Sequence, residues 1–270
     1  MPSLFAAEVF GVDSYRPASQ DLDRAAANGI NALQFSAGYW ADEEGGLNTI
    51  PGLKDLVISF IDEAHAKGFK VWLVPELVYP TNKSHQTRIP DEILENTDFM
   101  QEFDSAVIEW AGIAEEHGVE IFSPLGEAYV KFGRERSKTW LAEIKPEIEA
   151  VYSGKICARG EWPIPELSSY SCFGPTVDIP ENEQEKQNLI NQIENARGQA
   201  TELILGEIWE GGNWQGTPED AKRGFRMAFE AGEGRVSGFF VLDVPSLPGA
   251  DSSLSFDDYE SVVREFYTQS

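Results

Sequence analysis

The sequence predicts an α/β protein, a single (β/α)8 TIM barrel, and three observations predict it. Eight strand-like runs alternate with helix-like segments at intervals of roughly 30 residues. Most of these runs are near-continuously apolar, as strands covered on both faces are. The length, 270 residues, suits one barrel of roughly 250 residues.

The expected strands are Phe5–Val12, Ala32–Ser36, Lys70–Val74, Glu120–Ser123, Lys155–Ala158, Ser171–Phe173, Glu202–Leu205 and Gly238–Leu242. Between the second and third, Leu53, Leu56, Val57, Phe60, Ile61 and Ala64 follow the i, i+3, i+4, i+7 spacing of one buried helix face. Phe103, Ala106, Val107, Trp110 and Ala114 do the same before the fourth strand, and Leu189, Ile190, Ile193 and Ala196 before the seventh. Trp72 and Trp110 fall in core positions. The punctuation repeats as well: NGINALQF, AHAKGFKVWLV and AEEHGVEIFS each carry a helix end, a glycine and then a strand. The helix after the fifth strand reads as short or absent, around Pro163–Ser169. No linker or low-complexity segment divides the chain, so residues 1–270 are expected to form one catalytic barrel.

Forty-six acidic residues against 21 Lys and Arg give a net charge of −25. No basic stripe exists to neutralise phosphates, so nucleic acid, anionic membranes and anionic substrates are disfavoured as partners. No run of about 18 apolar residues suggests a membrane span. The N-terminus lacks a basic n-region and does not read as a secretion signal, which leaves the compartment open. Cys157 and Cys172, the two cysteines, lie in apolar runs on neighbouring strands and are expected as buried free thiols. The three histidines form no HExxH or clustered pattern, and GxSxG, GxxxxGK and GxGxxG are absent. No metal or other cofactor is therefore expected.

Chemistry is suggested by FSPLGEAY at Phe122–Tyr129 and LILGEIWE at Leu203–Glu210. Each is a strand-like run ending in Gly-Glu, with an aromatic within two residues. Barrel enzymes place working residues where strands end, and glycoside cleavage needs two carboxylates facing one bond. Glu127 and Glu207 are thus the catalytic candidates. The other strand ends supply Glu8; Tyr39 and Trp40; Glu76 and Tyr79; Tyr129; Glu161 and Trp162, with Arg159 beside them; Trp209 and Trp214; and Asp243. Carboxylates interleaved with indoles and phenols suit a sugar, whose ring faces stack on aromatics and whose hydroxyls need fixed hydrogen-bond partners. Glu8 and Asp243 have an alternative role, bonding amides or an arginine at the barrel rim.

At EAHAKGFKVWLVPEL, AGIAEEHGVEIFSPLGEAY and LILGEIWEGG the chain resembles the retaining TIM-barrel glycosidases of glycoside hydrolase clan A, and in particular the family 113 β-mannanases. The resemblance implies that Glu127, at the fourth strand, is the acid/base and Glu207, at the seventh, the nucleophile. It also marks departures. Clan members usually carry Asn before the acid/base, where this chain has Gly126. A Tyr near the end of strand six often holds the nucleophile, and CFGPTV has none. The strand-eight Trp platform is missing from VLDVPSL.

Three readings follow. One is a retaining glycosidase of β-linked neutral oligo- or polysaccharide. The second is a non-catalytic carbohydrate-binding barrel. The third is a metal-dependent barrel lyase or isomerase using Glu76, Glu161 and Asp243.

Overall fold

The computed structural model describes residues 19–42, 44–79, 88–160, 162, 170–198, 202–211, 216–241 and 256–269. Helix α1 (Ser19–Ala27) leads into strand β1 (Ala32–Ala41), the short β2 (Leu47–Thr49), α2 (Leu53–Ala66) and β3 (Lys70–Val78). Then come α3 (Asp91–Leu94), α4 (Thr97–Glu116), β4 (Ile121–Phe122), α5 (Ala128–Phe132), α6 (Arg134–Glu149) and β5 (Lys155–Gly160). The chain continues through β6 (Cys172–Asp178), α7 (Glu183–Arg197), β7 (Leu205–Trp209), α8 (Pro218–Gly232), β8 (Phe239–Val241) and α9 (Phe256–Gln269).

The sheet runs in the order β2-β1-β3-β4-β5-β6-β7-β8. Every neighbouring pair is parallel except the β1–β2 hairpin, and β8 approaches β1. This is the TIM-barrel fold. Seven of the eight predicted strands have a counterpart; the first, Phe5–Val12, lies outside the described residues. So does most of the stretch after β5. Among the described residues no helix is long and apolar enough to cross a membrane.

The glycine punctuation has the conformation that helix ends require. Gly29, Gly68 and Gly118 have φ of 76°, 85° and 68°, the left-handed region where a Cβ is unfavourable. Helix α4 starts on an Asn96 cap whose side chain accepts from the Asp98 amide at 3.0 Å. Helix α8 starts on a reciprocal Thr217–Asp220 box. The buried faces are the predicted ones, except that Leu56 and Ala106 are only half-buried at their edges: Leu53, Val57, Phe60, Ile61 and Ala64 on α2, and Phe103, Val107, Trp110 and Ala114 on α4.

The core has two layers. A large outer layer lies between sheet and helices, with Phe35 of β1 stacked on Phe60 of α2. A small inner cluster fills the barrel: Trp72, Val74, Cys157, Cys172 and Ile204, flanked by Ile121 and Phe240. Trp72 is its centre. Its indole N–H donates to Ser123 Oγ at 2.9 Å, and that hydroxyl donates to the Cys157 carbonyl at 2.6 Å. Gly174 leaves the room the indole needs, since a Cβ there would run into the Trp72 ring.

The cysteines correct the expectation of free thiols: Cys157 and Cys172 are joined in a disulfide. They are directly opposite partners in the β5–β6 ladder and point into the same inner cluster, with Cα atoms 4.5 Å apart. That separation lies within disulfide range. The strands alone do not reveal it, because one residue of register decides whether two cysteines face each other.

Candidate active site

Alternation along each strand separates the barrel interior from the helix side. On β3, Trp72 and Val74 belong to the inner cluster, so Glu76 comes next on that face at the C-terminal end. On β5, Cys157 is inward and Arg159 follows. On β6, Cys172 is inward, then Gly174 and Thr176.

Strand β7 reaches the same face by an irregularity. Ile204 is in the inner cluster, so strict alternation would turn Gly206 inward and Glu207 out toward the helices. The ladder forbids this. Leu203 is opposite Phe173, yet Glu207 is opposite Thr176, so four steps on β7 match three on β6. On the other side Leu205 pairs with Phe239 and Ile208 with Val241, three steps against two. The extra residue is a β-bulge, and it turns Glu207 inward beside Thr176. Gly206 fits there because a Cβ would sit 3.0 Å from the backbone of Gly174.

Glu127 arrives differently. Regular β4 ends at Phe122, but the chain continues between its neighbours. The Ser123 amide donates to Leu73 O at 2.9 Å, Gly126 to Pro75 O at 3.0 Å and Glu127 to Arg159 O at 3.2 Å. Glu127 then caps α5 with φ 52° and ψ 41°, and it is the one non-glycine residue with positive φ among those described. Such strain persists where surrounding structure imposes it and clusters at functional sites.

The two glutamates are linked through β5 and β6. The Arg159 guanidinium pairs with Glu207 through Nη2 and donates through Nη1 to Thr176 Oγ at 2.7 Å. Thr176 Oγ donates to Glu127 Oε1 at 3.3 Å. Arginine has no acceptor, so the single threonine proton is directed at Glu127, whose Oε1 must accept it. Burial pulls Arg159 below the ordinary guanidinium value, and the carboxylates of Glu127 and Glu76 pull it back up. Burial pushes Glu76 up to about 7, opposed by Lys131, with Glu127 reinforcing the rise and Arg159 opposing it. Arg159 and Thr176 complete the constellation. In the sequence Arg159 carries no motif of its own beside Glu161 and Trp162, and Thr176 lies in CFGPTV, whose one functional signal is the absence of a tyrosine.

The aromatic candidates divide. Trp209 is half-buried, opposite Asp178 and two residues beyond Glu207 on the same face. By register Trp40 is opposite Val78 and shares the face of Glu76. Tyr129, on α5, has a buried hydroxyl with no hydrogen-bond partner among the described residues and is pushed up to about 12 by burial, against the pull of Arg134. Its ring lies 3.9 Å from where a Cβ of Gly160 would be. Tyr39 is a correction. Its hydroxyl accepts from Trp110 Nε1 at 2.7 Å and its ring meets Phe103 edge-on, so it belongs to the sheet–helix layer. Strand β1 runs on past Ser36, and alternation carries Phe35, Ala37 and Tyr39 outward. Trp162 packs edge-on against Phe173, another outer-layer ring, and Tyr79 is half-buried against the same layer. Glu8, Glu161, Trp214 and Asp243 lie outside the described residues. Among the described residues no cluster of three or more His, Cys, Asp or Glu side chains is arranged to hold a metal ion.

The same architecture recurs in solved glycoside hydrolases. The GH113 β-mannanase AaManA from Alicyclobacillus acidocaldarius, solved in complex with ManMIm, superposes with TM-score 0.73 at 15% identity, covering 95% of this chain and 93% of that one. A GH113 β-1,4-mannanase complex gives 0.74 at 16% identity, with 95% and 94% covered. PbGH5A, a glycoside hydrolase family 5 enzyme from Prevotella bryantii B14, gives 0.64 at 12% identity, with 93% and 86% covered. No family model and no curated protein matches the sequence. The likeness is one of fold: this chain shares the TIM-barrel architecture of those enzymes.

Proposed function

We propose that residues 1–270 form one catalytic barrel that hydrolyses β-linked neutral oligo- or polysaccharide, β-mannan foremost, with retention of configuration. The observation that supports this best is the joining of Glu127 and Glu207 across the barrel mouth through Arg159 and Thr176. A nucleophilic carboxylate must be ionised, and pairing with a buried guanidinium favours the ionised form. Glu207 attacks the anomeric carbon while Glu127 protonates the departing glycosidic oxygen. Glu127, now ionised, takes a proton from the incoming water, which displaces Glu207 and releases the sugar. Trp209 and Trp40, with Tyr129 and Trp214, supply stacking surfaces. Glu8, Glu76, Glu161 and Asp243 supply hydrogen-bond partners for hydroxyls, and no cofactor is required.

The test is reducing-end release from a panel of β-mannan, β-glucan, β-galactan and aryl β-glycosides, with two variants. Glu207→Gln should abolish release while leaving the melting curve in place. Glu127→Ala should slow polysaccharide cleavage by about 10²–10⁴. The same variant should be far less impaired on aryl glycosides with good leaving groups and should yield a β-glycosyl azide when azide is added. Wild-type turnover by Glu207→Gln, or no release on any substrate, overturns the proposal. In a ligand-bound crystal structure the two carboxyl groups should lie about 5–5.5 Å apart.

A further inference from the structure

Gly126 does not serve backbone conformation, since its φ is not positive. It serves space: a Cβ built there falls directly on the carboxyl group of Glu76. The position has little freedom to retreat, because the Gly126 amide is bonded to Pro75 O at 3.0 Å, the residue next to Glu76. The Glu76 carboxyl therefore occupies the volume that any side chain at 126 would fill, immediately beside Glu127. It is 7% exposed, at the C-terminal end of β3. The groups acting on it are Lys131 of α5, Glu127 and Arg159 of β5. A buried carboxyl needs hydrogen-bond partners to offset its desolvation.

We infer that Glu76 and Gly126 are a matched pair, in which the Glu76 carboxyl, reaching across from β3, is the substrate-positioning group that hydrogen-bonds a ring hydroxyl of the sugar next to the acid/base. The inference rests on the hydrolase reading above, but its steric half stands without it. A carboxyl in this place exchanges hydrogen bonds with a sugar hydroxyl, and the glycine keeps the space clear for both.

Two experiments separate the pair from the hydrolase reading. In the first, a melting cycle, Gly126→Ala should lower the melting temperature by several degrees through overpacking. The Glu76→Ala/Gly126→Ala double variant should recover most of that loss relative to Glu76→Ala alone. A Gly126→Ala protein as stable as wild type, or equal costs of Gly126→Ala in both backgrounds, overturns the pairing.

The second uses monodeoxy aryl β-glycosides of whichever sugar the wild type cleaves best. Removing one particular hydroxyl should lower wild-type kcat/KM by roughly 10- to 100-fold, the scale of a lost hydrogen bond in a buried polar site. Glu76→Ala should show the same loss on the parent sugar and no further loss on that deoxy sugar, and Glu76→Gln should retain part of the discrimination. If Glu76→Ala discriminates among the deoxy sugars as the wild type does, the positioning role is overturned. If the wild type cleaves nothing, the hydrolase reading and this role fail together, and the melting cycle still decides the pair.

Discussion

Arg159 meets Glu207 with one arm of its guanidinium and Thr176 with the other, so one rigid fork sets the positions of both candidate carboxylates. Lysine is a point charge and cannot hold both contacts at once. Arg159→Lys should therefore lower kcat strongly while leaving a folded protein. Arg159→Ala should also destabilise the fold, by about 3 kcal/mol in urea unfolding, the lower end for breaking a buried pair. The low end applies because the Glu207 side chain keeps 18% of its exposure. Thr176→Val keeps the shape and removes the hydroxyl that orients Glu127; it should cost about tenfold in kcat, one hydrogen bond's worth, and Thr176→Ser should restore it. Equal kcat for the Val and Ser variants would remove Thr176 from the site. Glu76 makes a further prediction. Its folded carboxyl is raised to about 7, above roughly 4.3 for an unfolded glutamate. The folded state binds this proton more tightly, so its contribution to stability is complete below about pH 4 and is lost as pH rises through about 7. Melting temperature measured from pH 4 to 8 should fall less in Glu76→Gln than in wild type.

At the scale of elements, the decisive feature is the bulge in β7. A regular β7 would point Glu207 at the helices and leave the mouth with Glu127 alone. The bulge is seated on Gly206, which packs 3.0 Å, measured from an added Cβ, from the Gly174 backbone. Backbone cannot rotate aside as a side chain can. Gly206→Ala should therefore cost about 1–3 kcal/mol in stability and reduce kcat by displacing Glu207. A variant with wild-type melting and turnover would show that the bulge has slack. The same element explains a shifted boundary. Glu202–Leu205 was expected as the seventh strand and Leu205–Trp209 is observed, so Glu207 lies within the strand. The apolar run and the pairing both begin at Leu203, bridged to Phe173, but the continuous ladder runs from Leu205 to Trp209 because the bulge admits Gly206 and Glu207 to it.

Across the whole molecule, the first and last described helices are clasped together. Arg24 on α1 donates to Glu260 on α9 at 2.9 Å through Nε and also pairs with Asp257. Asn28 donates to Glu260 at 2.6 Å, and Arg264 donates to Asn28 at 2.7 Å. The hydrogen bond from Arg24 draws the Glu260 carboxyl down to about 2, against the effect of burial, with Asn28 and Arg264 adding to the fall. The sign is the reverse of Glu76. Stability from a depressed carboxyl is present above the unfolded value, roughly 4.3, and is lost as pH falls through about 2. Between pH 4.5 and 2 the melting temperature of Glu260→Gln should fall less steeply than that of wild type. The two windows do not overlap, so each variant flattens a different limb of one stability curve. Equal slopes in both proteins over the acid limb would mean that the clasp does not couple to folding.

Local patterns were enough to determine much of this protein. Apolar runs spaced by helices specify the barrel. Gly29, Gly68 and Gly118 mark helix ends because the left-handed conformation taken there is unfavourable for a residue with a Cβ, and the buried faces of α2 and α4 follow from a 3.6-residue period. The GE motifs pick out Glu127 and Glu207 because strand ends are local too. Facing is what the tertiary structure decided. Tyr39 turns outward because β1 continues five residues past its expected end. Cys157 and Cys172 meet because the register of two neighbouring strands sets them opposite each other, and Arg159 and Thr176 join the site because β5 and β6 lie between the two glutamates. Gly126 is explained by a carboxyl fifty residues upstream. Each of these depends on which residue of one strand lies opposite which residue of the next, and a single bulge resets that relation without any mark in the hydrophobic pattern of either strand.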